Sequence, residues 1–99
     1  MVELYGGILA GARAVELLSM QITGTLYSES DKDSVTVATH RWPNSINLGA
    51  TESINGQTII AALEAHPNDL IIVIACLPKS ADAEHVIGIV KEIGEASQR

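Results

Sequence analysis

Few side chains in this 99-residue chain have the type and spacing to do chemistry. The three histidines, His40, His66 and His85, fall in three different predicted elements, without the short spacing that lets imidazoles share a metal ion. None precedes His40, so no imidazole stands at the start of a helix in the first third of the chain. The single cysteine, Cys76, excludes an internal disulfide and suits a reducing compartment. It lies in an apolar run and is expected to be a buried, inert thiol. Ser19, Ser28 and Ser30 have no identifiable base, and no phosphate loop, catalytic triad or carboxylate pair emerges. The expectation is a chain that is not an enzyme and binds neither cofactor nor metal. Two positions remain. Gly11, Ala12 and Arg13 open an apolar-periodic segment, where backbone amides and a guanidinium could hold an anion, a solvated surface arginine being the equal alternative. Thr51 or Ser53, with Glu52 beside them, would open another helix as its N-cap.

The elements that must position these residues follow from composition and periodicity. At 99 residues, with 46% apolar side chains, one domain spanning 1–99 with a modest core is expected. Phe is absent, so the core is aliphatic. A net charge of -6 with only six Lys and Arg disfavours nucleic acid as a ligand and favours basic surfaces on other proteins. No apolar run reaches the roughly 18 residues of a membrane span, and no export signal is apparent, so a cytoplasmic location is expected. Residues 2–9 read as a short strand with Gly6 and Gly7 marking a bulge or close approach. Residues 12–26 carry an apolar helical face at Ala14, Val15, Leu18 and Ile22. Residues 28–33 read as a polar loop. Residues 34–40 alternate with period two and are rich in β-branched types, predicting a strand. Trp42-Pro43-Asn44-Ser45 reads as a turn into a second strand at Ile46 and Leu48, paired back as a hairpin. A helix with Ile59, Ile60 and Leu63 buried follows, stopped by His66-Pro67. Residues 70–77 read as a central strand. Ser80 then caps a last helix with the stripe Val86, Ile89, Val90, Ile93.

The predicted order is βαββαβα: an α+β fold with a mainly antiparallel four-stranded sheet and three helices on one face. Asn47-Leu48 followed by Ser53-Ile54-x-Gly56, then Asn68-Asp69-Leu70-Ile71-Ile72, then Ala81-Asp82-Ala83-Glu84, resembles the second half of HPr, the phosphocarrier of the sugar phosphotransferase system. In the first half, Leu9-Ala10-Gly11-Ala12-Arg13-Ala14-Val15 is similar to the family's histidine motif, with Arg13 on the motif arginine but Gly11 on the histidine. The resemblance implies an HPr-like open-faced sandwich that lacks the carrier histidine and does not relay phosphate in the usual way, as in the family's catabolite-repression paralogue. It implies a regulatory or adaptor protein that binds a kinase, phosphotransferase components or a transcriptional regulator, switched by phosphorylation at Ser53, with Ile54 and Gln57 at the partner surface. The alternative from another class is a small α+β anion-binding module or an oligomeric structural subunit.

Overall fold

A computed structural model describes residues 1–7, 9–64 and 69–97. Strand β1 (Val2–Leu4) leads to helix α1 (Ala10–Leu17), β2 (Leu26–Ser28) to α2 (Lys32–Arg41), and β3 (Ile46–Asn47) to a 3₁₀ turn (Thr51–Ser53) and α3 (Gly56–Leu63). Strand β4 (Val73–Ala75) and α4 (Ala83–Ser97) complete the order. The sheet runs β3-β2-β1-β4, and every pairing is parallel: Val2 lies opposite Leu26 on one side and Val73 on the other, and Leu26 lies opposite Ile46.

This corrects the antiparallel, three-helix sandwich. Strands and helices alternate, and each crossover returns the chain to the same end of the sheet, as parallel pairing requires. The two faces are covered separately. On the central strands Val2, Leu4 and Leu26 point to one face, where Ile59 of α3 and Val86, Ile89 and Ile93 of α4 bury them. Glu3 and Tyr27, at the alternate positions, point to the other, with Leu9, Ala12, Val15 and Ala38 from the α1–α2 side. Each fully buried aliphatic side chain contributes about 1.5–3 kcal/mol relative to exposure.

Several local expectations change with it. Residues 34–40 lie in α2, not in a strand. Asp31 stands in extended geometry before the helix and accepts the Ser34 amide at 2.9 Å, so a cap with no counterpart in a strand decides the conformation. Helical geometry also brings Ala38, fully buried, onto the sheet while Thr36, Val37 and His40 stay outside. Residues 46–48 form no hairpin; they pair with β2 in parallel. The first helix ends at Leu17 rather than near 26, and the expected 28–33 loop begins inside β2. β4 is an edge strand of three residues, with Leu70 and Leu77 exposed beyond it. Helix α4 has the expected buried stripe except for Val90, which is 45% exposed, and its first amides are held by Asp82 rather than Ser80. His66 and Pro67 lie outside the described residues. Among the described residues no helix is long and apolar enough to cross a membrane.

Candidate functional site

In an open parallel sheet, ligands bind outside the carboxyl ends of the strands where the order reverses. Here that point lies between β1 and β4. The chain leaves β1 through a tight turn in which Tyr5, Gly7 and Leu9 all have left-handed φ, at 53°, 55° and 63°. A side chain at Gly6 would force the buried Leu9 to shift, because a Cβ there would stand 2.7 Å from Leu9 Cδ2 and 3.3 Å from Tyr27 Cβ. Gly11, one residue into α1, is equally constrained: a Cβ would stand 2.8 Å from both Glu3 Oε1 and Ile74 Cδ1. The first glycine shapes the turn and the last lets the helix approach the sheet.

Helix α1 has no local cap, since Leu9 offers no acceptor. Glu3, buried in the central strand, supplies it across the fold: its Oε1 accepts the Ala12 amide at 2.5 Å. Burial raises the Glu3 pKa, while the Ala12 and Gly11 amides favour the ionised form. The expected anion site at Gly11, Ala12 and Arg13 is therefore filled from within. Arg13 pairs with Glu16 instead, and points away on the exposed face.

Beside the glycine turn stands Glu29, at the end of β2. Its Oε1 accepts the Gly7 amide at 2.8 Å, and its Oε2 accepts those of Ser30 and Asp31 at 3.0 and 2.9 Å. The Asn47 side chain exchanges two hydrogen bonds with the Glu29 backbone. The carboxylate is thus fixed at the mouth of a cavity of about 360 Å³, which Tyr5, Thr51, Glu52 and Cys76 also line. Behind it, the buried hydroxyls of Ser28 and Thr51 bond to each other and both accept from the Tyr5 amide, at 3.2 and 3.3 Å. The Tyr5 hydroxyl donates to Glu52 at 2.8 Å. The loss of hydration and the adjoining carboxylate raise the Tyr5 pKa, whereas the Glu52 pKa is lowered by its own backbone amide and then by Tyr5. His85 ties the start of α4 to this rim through the Thr51 carbonyl at 3.0 Å.

Among the described residues the lining holds two carboxylates and no lysine or arginine. Lys79 lies between the lining residues Pro78 and Ser80 without joining them. Among the described residues no group of three His, Cys, Asp or Glu could hold a metal.

The structure scatters the residues singled out from sequence. Ser53 is exposed but closes the 3₁₀ turn; the N-cap of α3 is Asn55, whose Oδ1 accepts the Thr58 amide at 2.8 Å. Ile54 is 5% exposed and belongs to the core, so it offers no partner surface, while Gln57 is exposed on α3. Cys76 is exposed at the cavity rather than buried, because β4 stops at Ala75. Tyr5 and Glu29 are not expected at a site from the sequence, and Glu52 is expected there only as a charge at a helix start, not at a cavity. The available signal was the Gly6, Gly7, Gly11 cluster after an apolar strand with an acidic residue about 20 positions on, which shares the first and last glycines of the G-x-G-x-x-G turn of nucleoside-binding βαβ units but not the middle one. No family model matches the chain, and a search of curated proteins finds no relative.

Proposed function

We propose that the chain is a nucleoside-cofactor-binding domain of the doubly wound type, and that its cofactor carries a cationic rather than a phosphate tail. S-adenosylmethionine has that chemistry, and the domain would then serve methyl transfer. The observation that carries the reading is the Glu29 carboxylate, pinned at the end of β2 beside the glycine turn, where such folds bind a ribose diol. The residues fit the group. Three of the acceptor positions on Glu29 take backbone amides, leaving capacity for a ribose hydroxyl. A pyrophosphate would need the first α1 amides, and Glu3 holds those of Gly11 and Ala12. It would also face Glu29 and Glu52 with no cation among the described lining residues. The bound cofactor would supply a sulfonium-activated methyl group. The chain's own part is to orient the ribose through Glu29, to support the turn through Ser28 and Thr51, and to hold negative charge near the tail through Glu52.

Isothermal titration with S-adenosylmethionine, ATP and NAD tests this. S-adenosylmethionine is expected to bind and the phosphorylated nucleotides not. Glu29→Gln should weaken binding about ten- to hundred-fold, the worth of a hydrogen bond to a charged group at about 1.5–3 kcal/mol. Preference for ATP or NAD, or binding indifferent to Glu29, would overturn the assignment.

A further inference from the structure

Two uncovered surfaces lie on opposite faces of the sheet. Between α1 and α2 runs a groove of about 680 Å³ with Leu9 at its floor and Val37, 49% exposed, along its wall. Its rim carries Arg13, His40 and Arg41, and the two arginines share the single carboxylate of Glu16. The rim therefore keeps a positive excess in a chain of net charge -6. On the other face, α4 exposes Ile87 and Val90, at 59% and 45%. Three residues apart, they share one side of the helix. Glu84 and Glu95 flank them on that exposed side, with Lys91 as its one cation, so the stripe is apolar with an acidic excess.

We propose that α4 of one copy seats Ile87 and Val90 in the α1–α2 groove of a second copy, bringing Glu84 and Glu95 to the arginine rim. Amphipathic helices dock into apolar grooves through anchors at this spacing, and opposite rim charges fix their direction. The two surfaces of one chain cannot meet, because the sheet stands between them. They also differ from each other, so the contact is heterologous. Each added copy leaves one groove and one α4 free, and association continues with concentration.

Sedimentation velocity on the whole chain tests this through two exposed positions, Val37→Asp and Ile87→Asp, with far-UV circular dichroism confirming helical content. Wild type is expected to associate as concentration rises, and each variant to stay monomeric. An equimolar mixture of the two should give a dimer and nothing larger, since one intact groove faces one intact α4. Arg41→Glu, which leaves the apolar contact in place, should weaken association about three- to ten-fold. A wild type that remains monomeric, leaving the groove to another protein's helix, would overturn the proposal. So would a variant that associates normally, or a mixture that fails to dimerise.

Discussion

Replacing Gly11 by alanine pits helix propensity against packing, and the structure says which wins. Alanine in a helix interior gains about 1 kcal/mol over glycine. The added methyl would stand 2.8 Å from Glu3 Oε1 and 2.9 Å from Glu3 Cδ, about 0.5 Å or more inside ordinary contact. Ile74 Cδ1, also at 2.8 Å, ends a flexible, half-buried side chain and can swing aside. Glu3 cannot: it is buried, and its carboxylate holds the Ala12 amide. Displacing it costs about 1–3 kcal/mol for the capping bond and about 1–3 kcal/mol for overpacking. Less the propensity gain, Gly11→Ala is expected to destabilise by roughly 1–5 kcal/mol, lowering the melting temperature by about 5–25 °C for a chain of this size. Gly88→Ala is the control. Gly88 lies inside α4 with nothing within 4 Å of its would-be Cβ, so the same change should stabilise by about 0.5–1 kcal/mol. Paired thermal melts in dilute solution decide it. If both variants melt above wild type, Glu3 does not pin α1, and the account of the filled helix end fails.

Other outcomes follow from single contacts. Asn55→Ala should cost about 1 kcal/mol in urea unfolding, through loss of the α3 cap, whereas Ser53→Ala should leave the midpoint unchanged. The Glu3 pKa is raised in the fold above its unfolded value. The fold therefore takes up a proton more readily than the unfolded chain, and Glu3's contribution is full below the unfolded value and declines as pH rises through the folded one. Glu3→Gln removes that decline, so it should appear in the wild-type-minus-variant difference between stability–pH curves, and an identical pH dependence in both proteins would contradict it.

Much of the fold was legible where one physical signal acted alone. The α4 stripe at Val86, Ile89 and Ile93 is buried as its spacing requires, and β1 begins where its apolar residues do. The sequence misled where two signals overlapped. Val35, Val37 and Thr39 alternate like a strand, yet one aspartate at position 31 and the need to cover β2 make them helical. That exchange, together with strand β2 standing where a helix end and a loop are expected, turns βαββ into βαβαβ and reverses the sheet from antiparallel to parallel. The site then moves too. Once the strands run parallel, their carboxyl ends gather Tyr5, Glu29, Glu52 and Cys76, which are distant in sequence and carry no shared motif. Glu3 was illegible for another reason: it looks like a surface residue beside Val2 and Leu4 until α1 is laid across it.

The two carboxylates at the cavity make different demands on a ligand, and that difference can be measured. Glu29 is half-buried and held by three amides, so it should recognise ribose whatever the tail. Glu52 is exposed, and one of its oxygens takes the Tyr5 hydroxyl, so it acts on the tail chiefly as a screened charge. S-adenosylmethionine and S-adenosylhomocysteine share the nucleoside and differ by the sulfonium charge. Glu29→Gln should therefore weaken both by the same factor and leave their ratio intact. Glu52→Gln should narrow the preference for the cationic ligand by about two- to five-fold, the range of an exposed charge pair, and raising salt should narrow it further in wild type. Tyr5→Phe sharpens the test, because it removes the hydroxyl that draws on Glu52 while leaving the charge in place. It should keep the preference, whereas a loss equal to that of Glu52→Gln would assign discrimination to the hydroxyl and not to the carboxylate.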